Sequence, residues 1–452
     1  MNILFINYGD FRANSLTHIA GFASGLTRLG HTCAVTVPRR LKTLSAVPAP
    51  AFLPLLHADV LRRPACFPDG RPPDIIHAWT PRHLVATCSL ELQRRLPRAA
   101  RLVVHLEDNE EHLAAHICQQ SFEILRTSDP ALWLPLYKRQ LIHPWRHRLL
   151  LHAADAVTHI TPSLAAFVPA GSASRLLLPG VDPVFFENPA LPPQLRHKLN
   201  LPPGARVVVY SGSVNPVNAG ELRDLYQAVA LLDRNGPHPV RLVRTGSTPK
   251  WFSKSLSAAE HSILINLGFV DRRLLPALFS LADVLVQPGK TGPFNDYRLP
   301  SKLAEFLASG RPVVMPAANI AAELIDGRDA LLLRDGTPED IADRCRTVFA
   351  DSDLASRLGQ NGRAAARRLF NLETQTALLA SLYAEVAARP PRVAWPALAA
   401  SPQLDETTLF PSTPADPDLA AALDWARHSL RPPPPDWRRH LPTWLHTPRP
   451  YW

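Results

Sequence analysis

Cysteine is scarce in this chain of 452 residues, and the few that occur are widely scattered. Neither a C-x-x-C pair nor a Cys/His ligand spacing is present, so the sequence indicates no metal site of that type and no disulfide framework. An odd number of separated thiols predicts reduced, mostly buried cysteines in a cytoplasmic protein. The five residues are Cys33, Cys66, Cys88, Cys118 and Cys345.

Long apolar runs are absent as well, since none approaches the ~20 residues that a membrane-spanning helix needs. The opening residues, MNILFINYGD, form too short an apolar run and become acidic too early for a secretory signal. We therefore expect a cytoplasmic protein, either soluble or peripheral at the inner face of the membrane.

Acidic residues are in deficit, because 39 Asp and Glu stand against 49 Lys and Arg, which gives a net charge of +10. The first 180 residues hold 19 of the basic and 12 of the acidic residues. This surplus favours an anionic partner, such as a nucleotide, a phospholipid surface or a phosphorylated lipid. Basic and aromatic residues do not interleave as they do in RNA- or DNA-binding modules, so we expect no nucleic acid partner.

The first part of the chain alternates short apolar runs with helical periodicity, which is typical of a parallel sheet covered by helices. A strand over 2–7, a helix over 15–30 and a strand over 31–38 predict an opening β-α-β unit. A single Gly9 in the first turn does not make the G-x-G-x-x-G fingerprint of dinucleotide binding. Residues 43–72 have the composition of a loop. Further strands are predicted at 74–79, 101–108, 154–163 and 175–182.

A proline-rich linker at 187–204 separates this series from a second one. Helices at 219–232, 338–368 and 373–388 are predicted with this second series, the last two completing the domain. Its predicted strands are 207–213, 240–246, 262–270, 282–289, 311–316 and 330–336. The predicted fold class is therefore α/β, with two Rossmann-like doubly wound domains, 1–186 and 205–388, that face each other across a cleft.

The composition changes sharply in the tail, residues 389–452. Residues 390–452 hold 14 of the 47 prolines and five of the nine tryptophans. So much proline prevents a core of the ordinary kind, yet a disordered linker rarely carries five tryptophans. We expect an extended strap that docks its tryptophans on the globular body, with a short helix over 416–430. The alternative is a mobile arm that recruits a partner.

The most informative stretch is NDYRLPSKLAEFLASGRPVV, residues 295–314. Pro300 suits the first turn of a helix, and Gly310 is typical of a position just past a helix end. Within that helix, Lys302 and Glu305 share one face. A helix start can hold a phosphate, and a carboxylate one turn later can accept hydrogen bonds from vicinal sugar hydroxyls. The structural alternative is a solvated Lys–Glu pair that contributes about 0.2–0.5 kcal/mol.

The order of these segments resembles the retaining family 4 glycosyltransferases of the GT-B fold (glycosyl transferases group 1) over residues 1–388. The best-matching motifs are PSKLAEFLASGRPVV, ADVLVQP, ELIDGRDALLLRDGTPEDIA and LLLPGVDPVFF. The resemblance implies transfer of a sugar from a nucleotide-diphosphate donor to a sugar, lipid-linked or small-molecule acceptor, without a bound metal or other cofactor. It also implies that the nucleotide lies mainly on the second domain and the acceptor on the first.

The family's E-x7-E motif places its second glutamate, here Glu305, on the nucleotide ribose. The first glutamate falls at Tyr297, a departure that leaves Asn295 and Asp296 as candidates for a polar contact to the donor sugar. Residues 211–220 also lack the Arg and Lys that many members carry there. The further candidate donor contacts that the resemblance suggests are Ser211, Gly212 and Ser301, together with Gly9.

Cations are needed because cleavage of the anomeric C–O bond leaves negative charge on the diphosphate, and no DxD-like metal site appears. Each well-placed donor is worth roughly 3 kcal/mol in the transition state. The local candidates are Lys302, Arg298, Lys290 and Arg244, of which Lys302 and Arg298 are the predicted catalytic cations. Arg298 has the alternative of a surface loop charge.

In the first domain, His105 ends a predicted strand, at the edge where doubly wound sheets bind ligands. The family often has a histidine here near the donor sugar, so His105 is a predicted catalytic residue; a structural hydrogen bond is the alternative. Glu107 and Asp108 follow as candidate acceptor-binding residues.

The basic segment 138–152 predicts either a half-exposed helix, which we favour, or contact with an anionic membrane. Two alternatives to a glycosyltransferase also remain open. One is an epimerase or phosphorylase on the same fold, and the other is a non-catalytic sugar-nucleotide-binding protein.

Overall fold

A computed structural model describes residues 1–47, 49–127, 141–144, 146–187 and 194–393. The first of two sheets has seven strands in the order β3-β2-β1-β4-β5-β6-β7, and each paired neighbour is parallel. The strands are β1 Asn2–Asn7, β2 Thr32–Val37, β3 Leu53–Leu56, β4 Ile75–Trp79, β5 Arg101–Leu106, β6 Ala156–His159 and β7 Ala173–Leu176. Among its described residues, this part has the α-helices α1 Asn14–Arg28, α2 His57–Arg62, α3 His83–Arg95, α4 Glu110–Cys118, α5 Phe122–Thr127 and α6 Arg146–Ala153.

The second sheet has six parallel strands in the order β10-β9-β8-β11-β12-β13. These are β8 Arg206–Ser211, β9 Val240–Thr245, β10 Leu264–Asn266, β11 Val284–Val286, β12 Val313–Pro316 and β13 Leu331–Leu333. A short helix, α7 Leu195–Lys198, precedes this sheet. The helices that come after it in the chain are α8 Ala219–Asn235, α9 Lys250–Lys254, α10 Ala258–Ser262, α11 Leu275–Ser280, α12 Lys302–Ala308, α13 Pro338–Ala350, α14 Ser352–Leu369 and α15 Leu372–Ala388.

The central strands are apolar on both faces, as expected for a parallel sheet that helices cover on two sides. All six residues of β1 are buried, and so are the five of β4. In each sheet the chain order reverses beside the first strand, β1 or β8. Doubly wound sheets bind ligands beyond the carboxyl ends of the strands at such reversals. The predicted fold class, two parallel α/β domains, is confirmed.

The sequence analysis expected the helix at 373–388 to complete the second domain, and this expectation was wrong, because the last described helix packs on the first domain. Leu379, Leu382 and Tyr383 of α15 lie in one hydrophobic cluster with Phe5 and Phe22 of the first domain. Arg101 also donates through Nε to the carbonyl of Val386 at 2.9 Å. The chain therefore crosses back and ends its described part on the first sheet, because the apolar face of α15 covers α1 there.

The prediction that residues 43–72 form a loop was also wrong. They contain β3, which pairs with β2, and the helix α2 that follows directly. The signal was weak because β3 is an edge strand of four half-buried residues, LPLL, and contains a proline.

The five cysteines form no disulfide with one another and four of them are buried, which agrees with the prediction from their spacing. In the described part of the chain, none of the helices has the length and hydropathy that a membrane crossing requires. The predicted strap and its helix at 416–430 lie outside the described residues, as does much of the basic segment 138–152.

Candidate functional site

The carboxyl edge of the second sheet brings Lys302 against the loop that follows β8. The ammonium Nζ of Lys302 lies 5.0 Å from the centroid of the Tyr210 ring. Gly212, in the loop, has a φ of +153°, and a Cβ built there would lie 3.0 Å from Cε of Lys302 and 3.2 Å from its Nζ. Glycine therefore allows the lysine to lie directly over the loop backbone. Ser211 and Ser301 flank this place; Ser211 shares a 3.0 Å hydrogen bond with Thr245, and Ser301 is exposed at the start of α12.

Glu305 lies one turn further along α12, and its carboxylate is largely buried. Nη2 of Arg272 contacts Oε1 of Glu305 at 2.5 Å. Burial raises the pKa of Glu305, and the charge of Arg272 opposes that shift. Arg272 itself is partly exposed and its guanidinium lies 5.1 Å from the centroid of the Phe185 ring. The predicted ribose contact is thus covered by an arginine that the sequence analysis did not identify.

Asn295 and Arg298 form a third group around a carboxylate that the sequence analysis also missed, Glu221 of α8. The side-chain amide of Asn295 donates to Glu221 and, at 2.9 Å, to the carbonyl of Lys290. Arg298 donates through Nη2 and Nε to the amide oxygen of Asn295 at 3.0 and 3.1 Å, and its Nη2 lies 3.5 Å from Glu221. Its guanidinium also stacks on the ring of Phe294, 3.7 Å from the centroid. Burial raises the pKa of Glu221.

Tyr297 takes the place of the first motif glutamate, and its ring packs on Phe167 of the first domain, 5.5 Å between centroids. Asn295, two residues before this departure, contacts the carboxylate of Glu221. No local sequence pattern links Glu221 to residue 295, since 74 residues separate them.

Arg244 was a candidate diphosphate cation, and the structure corrects that expectation. Its side chain is fully buried. Its guanidinium donates to the carbonyl oxygens of Gly212 at 3.1 Å and Ser247 at 2.6 Å, and to the hydroxyl of Thr248. Such a group holds the two loops beyond β8 and β9 together from beneath, so it does not reach a ligand. Lys290 is exposed, while Asp296 accepts from the backbone N–H of Gly292 at 3.1 Å.

In the first domain, His105 is the last but one residue of β5, close to the carboxyl end as predicted, and it is buried. Its ring lies 4.1 Å from that of Trp79, centroid to centroid, at an interplanar angle of 33°. Nδ1 lies 2.8 Å from the hydroxyl of Thr158, whereas Nε2 has no partner in the described part of the chain. Burial lowers the pKa of His105 to about 3, although the charge of Glu107 acts in the opposite direction. The ring is therefore neutral at physiological pH.

Glu107 follows at the same edge and is held on three sides. The hydroxyl of Ser15 and the indole N–H of Trp79 (2.8 Å) donate to it, and Nδ1 of His18 lies 3.1 Å away. Burial acts to raise the pKa of Glu107, but the hydrogen bonds from His18 and Ser15 and nearby charge lower it to about 2. Glu107 is thus a fixed anion. Ser15 and His18 escaped the sequence analysis because they lie on an otherwise ordinary amphipathic helix.

Asp108 and Glu110 share Arg82, which the sequence analysis did not single out either. Nε of Arg82 donates to both oxygens of Glu110, at 2.8 and 3.0 Å, and Nη2 lies 3.4 Å from Asp108. The guanidinium stacks over Tyr8, 4.1 Å from the ring centroid. Burial raises the pKa of Glu110 to about 7, and Arg82 opposes the shift. Asp108 therefore faces an arginine rather than open solvent alone.

Gly9 has a local reason to be glycine. A Cβ there would come within 2.6 Å of the side chain of Ala13, so the tight turn before α1 excludes a larger residue. The two edges also meet, since the amide of Asn109 donates to the carbonyl of Pro293 at 3.4 Å. The packing of Phe167 on Tyr297 is a second contact between the two domains near these edges.

Residues 205–351 match the protein-family model described as "Glycosyl transferases group 1". A sequence relative, the D-inositol 3-phosphate glycosyltransferase of Streptomyces bingchenggensis (strain BCW-1), is 27% identical over 202 residues. That alignment spans 42% of this chain and 43% of the relative, so less than half of the relative's length is matched.

Solved structures resemble the chain over most of its length. Anabaena HepE in complex with UDP has a TM-score of 0.65 at 17% identity, covering 85% of this chain and 100% of that one. A glycosyltransferase from Rickettsia africae ESF-5 has a TM-score of 0.64 at 12% identity, covering 86% and 99%. At such low identity these likenesses establish a shared fold, the GT-B arrangement that the sequence resemblance predicted.

Proposed function

We propose that this protein is a glycosyltransferase that moves a sugar from a nucleoside diphosphate to an acceptor hydroxyl, with retention and without a metal. The observation that carries the proposal is the position of Lys302 over Gly212, one turn before the buried carboxylate of Glu305. A cation over a glycine loop suits a diphosphate, and a carboxylate at one further turn suits a ribose. The family match over 205–351 supports this assignment.

Lys302 is the cation that we assign to the leaving group. Arg244 is buried, and Arg298 is engaged by Glu221 and Asn295. Charge on the diphosphate increases as the anomeric bond breaks, so a cation fixed at this point lowers the barrier. A fixed lysine and loop N–H groups supply the charge that a divalent ion supplies elsewhere, which is why we propose a metal-independent reaction.

The acceptor side is assigned to Glu107 and Asp108. Glu107 remains ionised and can accept a hydrogen bond from an acceptor hydroxyl, while the neutral His105 can position a sugar oxygen. For the donor we propose a UDP-sugar, because Anabaena HepE was crystallised with UDP and with UDP-glucose. The acceptor class (sugar, lipid-linked or small molecule) and a peripheral position at the inner membrane face stay predictions.

The test is a panel of UDP-, GDP- and ADP-sugars, each assayed for thermal stabilisation and for release of the nucleotide with an acceptor mixture. We expect stabilisation and release with a UDP-sugar, undiminished by EDTA, and an anomeric product that retains configuration by NMR. Lys302→Ala should lower turnover on the order of 10²-fold. Lys254→Ala, an exposed lysine on α9, is the matched control.

Three outcomes contradict the proposal at different points. Binding of a UDP-sugar without turnover indicates a sugar-nucleotide-binding protein, and conversion of the donor alone indicates an epimerase. If EDTA abolishes turnover and added Mg²⁺ or Mn²⁺ restores it, the reaction needs a metal and the proposed metal independence is overturned. No stabilisation by any nucleotide overturns the donor site itself.

A further inference from the structure

A chain of hydrogen bonds connects the last described helix to His105. The hydroxyl of Tyr383, on α15, lies 2.6 Å from Nδ1 of His77. Nε2 of His77 lies 3.3 Å from the hydroxyl oxygen of Thr158, which in turn lies 2.8 Å from Nδ1 of His105. All four side chains are at most 1% exposed. We call these residues, Tyr383, His77, Thr158 and His105, the relay.

Three arrangements of the protons satisfy all three hydrogen bonds of the relay. In the first, Tyr383 donates to His77, His77 donates to Thr158, and Thr158 donates to Nδ1 of His105, which leaves the His105 proton on Nε2. In the second every bond is reversed, and Tyr383 becomes the final acceptor. In the third, Tyr383 and His77 donate as in the first, but Nδ1–H of His105 also donates to Thr158, whose hydroxyl oxygen then accepts two hydrogen bonds. A neutral imidazole has one donor and one acceptor nitrogen, and a hydroxyl has one proton, which excludes every other combination.

The first arrangement leaves fewer buried groups without a partner. It leaves only the Nε2–H of His105 unpaired in the described residues. The other two arrangements each leave one hydroxyl proton, that of Tyr383 or that of Thr158, without an acceptor in the relay, apart from the weakly accepting thiol of Cys33 near Tyr383. They also leave a bare Nε2 on His105. All three arrangements therefore leave one donor unpaired, and the additional unpaired acceptor, which costs about 1–3 kcal/mol when buried, makes the first arrangement preferred.

We propose that Tyr383 fixes the tautomer of His105 through His77 and Thr158, so that His105 presents its Nε2–H as a hydrogen-bond donor to substrate. Tyr383, His77 and Thr158 are positioning residues; His105 makes the contact, and because its Nε2 is buried in this structure, the substrate has to displace the side chains that cover it. The substrate contact rests on the proposed function, whereas the tautomer does not. His105 is then a donor to a substrate oxygen, and it does not act as a general base through Nε2.

The relay depends on the return of α15 to the first domain. Helix α15 supplies the proton that determines the direction of the entire relay, and it does so across 306 residues of sequence. Thr376 on the same helix also packs against Gly25 of α1, where a Cβ would meet its side chain at 2.5 Å. This close approach holds the helix at one distance from the sheet.

The direct test is the imidazole ¹⁵N NMR spectrum of the full-length protein labelled at histidine, recorded from pH 5 to pH 8. His105→Asn identifies the His105 signals by their loss. We expect a neutral ring with its proton on Nε2 throughout. The titratable groups that face or electrostatically influence this ring are Glu107, His18, His77 and His159. Glu107 stays ionised over this pH range, and no change of charge around the ring should move the proton from Nε2. A proton on Nδ1, or a charged ring, in the wild-type protein overturns the proposal.

Tyr383→Phe and Thr158→Val each break the relay with little change of volume. We expect each to lower the fraction of His105 that carries its proton on Nε2, and Thr158→Ser to restore it. Tyr226→Phe, a buried tyrosine in the core of the second domain, is the matched control and should leave the spectrum of His105 unchanged. An unchanged His105 tautomer in folded Tyr383→Phe and Thr158→Val overturns the relay.

If the protein turns over a UDP-sugar, kcat should fall in the two variants by the same factor as the Nε2–H fraction, with little change in KM. A loss of stability alone would not make kcat fall in proportion to the Nε2–H fraction of His105. If no turnover is found, the NMR result still decides the tautomer, so failure of the proposed function and failure of the relay are distinguishable.

Discussion

Arg272 covers the carboxylate of Glu305, with Nη2 of the arginine 2.5 Å from Oε1 of the glutamate. The pair joins the 3₁₀ helix Arg272–Leu274 to α12. A ribose that hydrogen-bonds to Glu305 has to take the place of this arginine or share the carboxylate with it. If Glu305 binds the ribose as proposed, we expect nucleotide binding to shift the Arg272 side chain or to add a second partner to the same carboxylate.

Glu305→Gln should weaken UDP binding by about tenfold, because an amide loses one acceptor oxygen and the charge that strengthens both ribose hydrogen bonds. Isothermal titration with UDP measures the change. Glu339→Gln, an exposed glutamate in the first turn of α13, serves as the control. Equal affinity of wild type and Glu305→Gln for UDP would remove Glu305 from the nucleotide site.

Gly212→Ala should lower turnover by about tenfold or more while the protein stays folded. The new methyl group would lie 2.9 Å from the hydroxyl of Tyr210 and 3.0 Å from Cε of Lys302, so it displaces the lysine from the loop. The backbone φ of +153° adds strain for any residue with a Cβ. Gly220→Ala is the matched control, because a Cβ there meets nothing within 4 Å. Equal turnover in Gly212→Ala and Gly220→Ala would contradict the assignment.

Glu221 and Arg298 should be energetically coupled. Both are mostly buried, and removal of either leaves the other without its charged partner. In a double-mutant cycle with Glu221→Gln and Arg298→Gln, we expect a coupling free energy of unfolding of about 1 kcal/mol. Asp343 and Arg346, an exposed pair on α13, should show a coupling near zero. Additive effects of the Glu221 and Arg298 changes, measured by urea denaturation, would show that the ion pair contributes nothing.

Stability should fall steeply as the pH drops below about 6.5, because buried neutral histidines take up protons only on unfolding. Burial lowers the pKa of His57 to about 4 and that of His105 to about 3, and it lowers the pKa of His77 well below its usual value. Between pH 6.5 and about 4 the unfolded chain binds more protons than the native state at these three sites. Stability is therefore fully present above pH 6.5 and is lost toward pH 4, at about 1.4 kcal/mol per pH unit for each histidine.

The check is the free energy of unfolding in urea at pH 7, 6 and 5. His57→Gln should reduce the dependence of the free energy of unfolding on pH by the contribution of one histidine, because a glutamine does not titrate. His261→Gln, an exposed residue on α10, should leave the slope as it is in the wild type. A wild-type stability that is flat from pH 7 to pH 5 would contradict the neutral burial of these rings.

Local sequence predicted most of the regular structure. The strand predicted at 2–7 is β1, the helix predicted to follow Pro300 is α12, and the alternation of strands and helices is present in both domains. These features are encoded within windows of five to eighteen residues, since side-chain periodicity and capping residues act over one or two turns. For the same reason it was predictable that Lys302 and Glu305 lie on one face of their helix. The ion pair between Arg272 and Glu305 was not predictable, because it joins two separate elements.

The sequence by itself determined the α/β class, two series of strands, reduced cysteines and the helix that carries Lys302 and Glu305. Only the tertiary structure decided that Arg244 lies beneath the site, that Glu221 meets Arg298, and that Tyr383 reaches His77. The physical reason is that these contacts join residues 77 to 306 positions apart, or depend on how deeply a charge is buried. Periodicity indicates which face of a helix is apolar, but the path of the chain decides which surface that face covers.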